Sequence, residues 1–320
     1  PLAGAWLLGP LMPFFFPRYL IVALPAYLLL LAGGLRACAR PLTLVWVLLA
    51  LLANGRSLRN YFSDPVYSKG GYGDLMAYVD EYRQLGDGLL LQDGAQAPLY
   101  DYYGLPEPLS YNMPPWGDPD MYPLLQSVSA RHERIWLLMY GDPAGYDPDH
   151  EVELWLHQRA FRAYHGDYVD ASLDLFVQGE IVPSSVPEVR FGDMIALIGF
   201  GHAEGGHTPG GTLPVALAWR ALRPMELDYT VFMHLVDRDG KLWGQADSQP
   251  LGGTRPTSRW QPGETVIDRV ALPLADEMPP GEYRLQAGWY ELASMQRLPA
   301  SGARSLADRA QLGSVEINSQ

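Results

Sequence analysis

A single cysteine, Cys38, stands in 320 residues, so no disulfide forms within the chain and cysteine usage is silent on redox compartment. A clustered basic stripe is also missing: the chain carries a net charge of −13, and its acids concentrate after Ser57. Phosphate neutralisation needs grouped Lys and Arg, so nucleic acid is excluded as a partner. No Gly-x-Ser-x-Gly elbow, dinucleotide Gly spacing or assembled triad is present. The N-terminus, Pro1-Leu2-Ala3-Gly4, lacks Met, a basic n-region and a cleavage site, so it does not read as a signal peptide. It reads as a cut through a hydrophobic segment, with the expectation of a C-terminal fragment.

Charge itself is nearly lacking at the start. Phe14–Leu35 has Arg18 as its only charge, and Pro41–Leu52 is apolar again after the turn Arg36–Arg40. About 20 apolar residues make a membrane-crossing helix. The short basic turn favours the cytoplasm, which puts the acidic remainder outside; Arg56 and Arg59 weaken that asymmetry. Arg18, between Pro17 and Tyr19, has two readings: a contact to a lipid phosphate, or an anchor snorkelling beside an interfacial tyrosine.

Beyond Ser57 the periodicity changes. Leu75, Val79, Tyr82 and Leu85 are spaced as a helix, and so are Met121, Leu124, Leu125 and Val128. Leu89–Leu91 and Ile135–Met139 read as buried strands, and Val152–Phe161 as a helix. This interleaving predicts a small parallel α/β (Rossmann-like) domain over 59–178. Residues 179–190, rich in Pro and Ser, read as a linker. Period-two patterns over Leu213–Trp219, Val231–Asp237 and Tyr283–Trp289, with turns at Asp237–Gly240 and Pro279–Gly281, predict an all-β sandwich, jelly-roll or immunoglobulin-like, over 191–317. The expected order is thus membrane helices over 1–58, the α/β domain, the linker, then the sandwich.

Three places carry candidate chemistry. Trp243, Gln245, Asp247 and Trp260 join aromatic faces to amide and carboxylate groups, as sugar binding requires, although a hairpin edge carries the same residues for the fold's sake. His202, Glu204 and His207 lie close enough for a loop metal site, but their Gly-rich setting reads as a turn, and no metal or other cofactor is expected. Gly70-Gly71-Tyr72-Gly73 precedes a helix; a connector explains it better than a phosphate cradle. Paired acids such as Asp118/Asp120 and Asp147/Asp149 sit in loops, where capping accounts for them.

The run Phe16-Pro17-Arg18-Tyr19-Leu20-Ile21-Val22-Ala23-Leu24-Pro25-Ala26-Tyr27 resembles a late membrane helix of polytopic glycosyltransferases that use lipid-phosphate sugar donors. That group is similar to the dolichyl-phosphate-mannose protein mannosyltransferases and aminoarabinose transferases; its second helix proline is replaced here by Ala26-Tyr27. The strings PGGTLPVALAWRA, DYTVFMHLVDRDG and WQPGE look like the group's C-terminal domain. The resemblance implies a multi-pass cell-membrane protein with soluble domains outside the cytoplasm. It implies a polyprenyl-phosphate sugar donor and a glycan, lipid or protein acceptor. It makes Arg18, with Tyr19, the donor-phosphate contact, and puts the catalytic carboxylate upstream of this chain. The rival reading is a membrane-anchored, non-catalytic glycan-binding or structural surface protein.

Overall fold

A computed structural model describes residues 24–37, 39–63, 71–92, 94–105, 109–141, 143, 146–205 and 207–318. Arg18, Tyr19 and Cys38 lie outside these residues. The chain divides into two units between Lys69 and Gly70.

In the first unit, α1 spans Leu24–Ala37 and α2 spans Arg40–Ser63. Helix α2 is 24 residues long and buries none of its side chains. Among the described residues it alone is long and apolar enough to cross a membrane. Its Leu- and Ala-rich stretch Val47–Ala53 favours helix, and Pro41 sits in the first turn, where a missing N–H is harmless. Among the described residues the expected membrane helices come down to one candidate span, α1 having 14 described residues.

The second unit overturns the expected Rossmann-like domain. Its first half comprises α3 (Tyr72–Tyr82), β1 (Gly88–Leu91), α4 (Ala97–Tyr103), β2 (Leu109–Asn112), α5 (Met121–Arg131), β3 (Arg134–Tyr140), α6 (Glu151–His157), β4 (Ala160–Tyr168) and β5 (Ala171–Gln178). β1 pairs in parallel with β2 and β3. Helices α3 and α4 cover one face and α5 and α6 the other, around Leu89/Leu91 and Leu90/Leu137 respectively. The parallel run stops there. β5 pairs antiparallel with β3 and with β4, and β4 pairs in parallel with a strand of the later half, Thr265–Pro273.

That later half comprises β6 (Ser184–Phe191), β7 (Ile195–His202), β8 (Thr212–Ala221), β9 (Tyr229–Val236), β10 (Leu242–Ser248), β11 (Thr265–Pro273) and β12 (Gly281–Glu291). Four shorter or terminal strands follow: β13 (Gln296–Arg297), β14 (Ala300–Ser301), β15 (Ser305–Leu306) and β16 (Arg309–Ile317). The result is one mixed ten-stranded sheet, β14-β6-β7-β8-β11-β4-β5-β3-β1-β2, not a separate α/β sheet. Residues 179–190 are no free linker either, because β6 begins at Ser184 and enters that sheet.

A second sheet, β10-β9-β12-β16-β15, faces the β6–β8 and β11 portion of the first. Their inner rows, Leu213/Val215/Leu217/Trp219 and Val231/Met233/Leu235 among them, form one sandwich core. Trp219, Trp260 and Trp289 meet edge-on at its centre, with centroids 4.9 and 5.9 Å apart along the chain of contacts.

Candidate functional site

The structure separates the four residues expected to bind sugar. Trp260 is 1% exposed and belongs to the core. Its indole Nε1 donates to the Arg255 carbonyl at 3.0 Å. Trp243 is half-buried, donates from Nε1 to Asp237 Oδ2 at 2.9 Å, and carries the Lys241 ammonium 3.6 Å over its ring. Neither ring is free for a ligand. Gln245 and Asp247 are exposed on β10, joined by a 2.7 Å bond from Gln245 Nε2 to Asp247 Oδ2. These two line a cavity of 180 Å³ at the junction of the two sheets.

The remaining walls of that junction cavity come from four elements. His157 ends α6, Arg162 lies on β4, Asp268 and Arg269 lie on β11, and Gly252 comes from the turn Pro250–Gly253. Gly252 has φ +67°, and a Cβ there would collide with the His157 ring, so the turn closes on the imidazole only with glycine. A register shift between Arg162 and Tyr164 marks a bulge in β4, a device that re-aims a side chain.

The electrostatics of this nest are set by burial. The Leu251 backbone N–H donates to Asp268 Oδ1 at 2.9 Å. Burial nonetheless pushes the Asp268 carboxyl up to about 6, against the opposing pull of that bond and of Arg162. Burial, with Arg162 adding to it, holds His157 well below the usual imidazole range, so its ring is neutral. The His157 ring meets Phe176 edge-on at 5.0 Å. Behind the cavity, His165 Nδ1 lies 2.8 Å from Asp174 Oδ1, and Arg162 Nη1 lies 3.6 Å from the same oxygen. That hydrogen bond raises the His165 pKa.

A larger groove of 750 Å³ crosses the ten-stranded sheet, lined by Phe161, Glu180, Ser184, Phe200, His202 and Glu204. Residues 181–184 roof it, passing within about van der Waals contact of Gly199 and Gly201: a Cβ on either would sit 3.0 Å from Ser184 O or Ile181 Cγ2. His202 Nδ1 and His207 Nε2 both bond the Ala203 carbonyl, at 2.9 and 2.8 Å, so the histidines clasp a turn. Among the described residues no three His, Cys, Asp or Glu side chains converge. Gly71, before α3, packs on Tyr168, with a Cβ position 3.1 Å from Tyr168 Cβ. Asp147 caps α6, accepting from Glu151 N at 2.8 Å and Val152 N at 3.2 Å.

Sequence reasoning missed Arg162, Asp174, Asp268 and Arg269, and read His157 as structural. A signal for Asp268 was there: it interrupts the inward row Val266–Asp268–Val270–Leu272, where period two demands an apolar residue.

No family model matches the chain, and no curated protein matches it. Among solved structures it is similar to the C-terminal domain of Wzt, with 12% identity, a TM-score of 0.30, and coverage of 43% of this chain and 80% of that one. A β-glucuronidase of Bacteroides uniformis matches with 13% identity and a TM-score of 0.24, over 42% of this chain and only 15% of that enzyme. An endonuclease/exonuclease/phosphatase from Beutenbergia cavernae matches with 12% identity and a TM-score of 0.21, over 60% and 61%. Likenesses at this level assign neither family nor chemistry.

Proposed function

We propose that this chain is part of a membrane glycosyltransferase that takes sugar from a polyprenyl-phosphate donor, its β-rich body lying outside the cytoplasm and holding the acceptor. The carrying observation is the pairing, in one chain, of an apolar helix whose leucines are exposed and a folded body with surface cavities. In such a reaction an acceptor hydroxyl attacks the anomeric carbon and the lipid phosphate departs. Arg18 is the group suited to the phosphate, because a guanidinium offers two parallel charge-assisted donors. The general base would be a carboxylate, and residues 1–63 contain neither Asp nor Glu. The second reading is a membrane-anchored surface protein that binds glycan without catalysis.

The two readings part in one experiment. The chain is placed in nanodiscs with a photoactivatable polyprenyl phosphate. The transferase reading expects crosslinks in preference to bulk phospholipid, lost on Arg18→Ala and partly kept on Arg18→Lys. Labelling no stronger than that of phospholipid would overturn it and leave the surface-protein reading.

A further inference from the structure

Aromatic side chains crowd the edge of the body at which the chain enters it. β1, β2 and β3 run in parallel, so their C-terminal ends share one edge. Helix α3 begins there. The Tyr72 ring lies 5.7 Å from that of Tyr140, the last residue of β3, and a Cβ on Gly71 would sit 3.1 Å from Tyr168 Cβ. Tyr103, which ends α4, brings its hydroxyl to 3.6 Å from the Cβ position of Gly73, and Tyr102 meets Tyr103 edge-on at 5.3 Å. The β4–β5 turn joins the row, since the Gly141 N–H donates to the Asp170 carbonyl at 2.7 Å. Trp116 follows the end of β2 on the same edge. Tyr102, Tyr103, Trp116, Tyr140 and Val169 are exposed, Tyr102 to 82%. Such a row of exposed rings marks an interaction surface.

Chain connectivity identifies what covers this edge. Helix α2, with its exposed leucines, ends at Ser63, and Gly71 leads into α3 eight residues later. Eight residues reach at most about 29 Å when fully extended, so Gly71 stays within that distance of the end of the helix. Tyrosine and tryptophan favour the headgroup layer of a membrane, where the ring is buried and the polar tip stays wet. The charge on this edge has one sign. It carries Asp74, Asp101, Asp167 and Asp170, with no Lys or Arg among the described residues 71–74, 97–104, 113–118, 140–141 and 167–170. That pattern opposes an anionic lipid surface. We propose that the C-terminal edge of β1–β3, with Tyr102, Tyr103, Trp116, Tyr140 and Tyr168, is a membrane-resting face seated in the headgroup layer of a zwitterionic bilayer. The inference rests on reading α2 as a membrane span, which the transferase and the glycan-binding surface protein share.

The test uses the whole chain in phosphatidylcholine nanodiscs, with Cys38→Ser leaving one cysteine at a time for a bimane fluorophore. Val169→Cys reports on the aromatic edge, Leu85→Cys, between α3 and β1, on the opposite end of the strands, and Leu49→Cys on α2; all three residues are exposed. Phosphatidylcholine carrying a headgroup nitroxide is expected to quench the label at Val169→Cys and to leave Leu85→Cys bright. Tyr102→Ser, Tyr103→Ser and Tyr140→Ser together are expected to remove most of that quenching. Partial replacement of the lipid by phosphatidylglycerol is expected to weaken it at low salt, and added salt to restore it. An acyl-chain nitroxide checks the premise. An unquenched Leu49→Cys would overturn the membrane span and the inference with it, whereas a quenched Leu49→Cys with a bright Val169→Cys overturns the inference alone. Equal quenching at Val169→Cys and Leu85→Cys, or stronger quenching with phosphatidylglycerol, overturns it too. Protection of Val169→Cys from aqueous iodide without nitroxide quenching would give the edge to a protein partner instead. Should the triple variant fail to fold, the lipid titration of Val169→Cys decides.

Discussion

Asp268→Asn isolates the energetics of the junction cavity. Asn keeps the Oδ1 acceptor for the Leu251 N–H and removes a buried charge. Burial pushes the folded-state carboxyl up to about 6, against an ordinary 3.8. Because the folded pKa is raised, the parent protein has no penalty from Asp268 below about pH 4; the penalty builds between about pH 4 and pH 6 and is complete above the folded value. A displacement of that size corresponds to about 3 kcal/mol. In a domain of this size each kcal/mol moves Tm by about 2–4 °C. The Tm of Asp268→Asn relative to the parent should therefore rise by about 6–12 °C between pH 4 and pH 7.5. His157 titrates in both proteins and largely cancels from this difference. Scanning fluorimetry on the tryptophan signal measures it. A difference that is flat with pH, or a variant markedly less stable at pH 7.5, would show that Arg162 holds the carboxylate charged and would refute the reasoning.

Trp260→Ala should destabilise the body by about 3–5 kcal/mol in denaturant titration, the cost of emptying a large core site, because Trp260 is packed on Trp289. Had Trp260 been a sugar platform, stability would stay near the parent's while binding fell. His165→Gln should lower Tm more at pH 6 than at pH 8.5: the raised His165 pKa means that its bond to Asp174 contributes fully below the ordinary imidazole pKa and fades as the pH rises through the folded value. Equal losses at both pH values would contradict a charged imidazole there. Gly252→Ala should cost more than about 1 kcal/mol, from the left-handed backbone and the collision with His157 together. A calorimetric Tm equal to the parent's would mean the turn can withdraw from the ring.

The local part of this protein was legible in its residues. The uncharged leucine run became α2, a product of composition over a span of 24 residues. Strict alternation became the inner rows of β8, β9 and β12, because a strand's side-chain period is two whatever it pairs with. Leu89–Leu91, Ile135–Met139 and Met121–Val128 formed the expected strands and helix. Pairing partners were not legible. Val270 of β11 aligns with Arg162 of β4 across more than a hundred residues of chain, and this contact merges what read as two domains into one sheet. Nothing in a run of residues near Arg162 specifies that neighbour, since edge hydrogen bonds look the same from either strand. The linker reading of 179–190 failed for a related reason: Pro and Ser suggest a loop, yet a shift in register between Ser185 and Val189 accommodates Pro187 within β6. The candidate site divides in the same way. Gln245 and Asp247 were visible as polar neighbours, whereas Trp260 was indistinguishable from a ligand platform until the core closed around it. His157, Asp268 and Arg269 come from α6 and β11, and only the meeting of the two sheets puts these residues around one space. Composition and period thus decided which segments are apolar and which are strands; tertiary packing alone decided which charges are buried together, because burial depends on every element that covers a residue and not on its own segment.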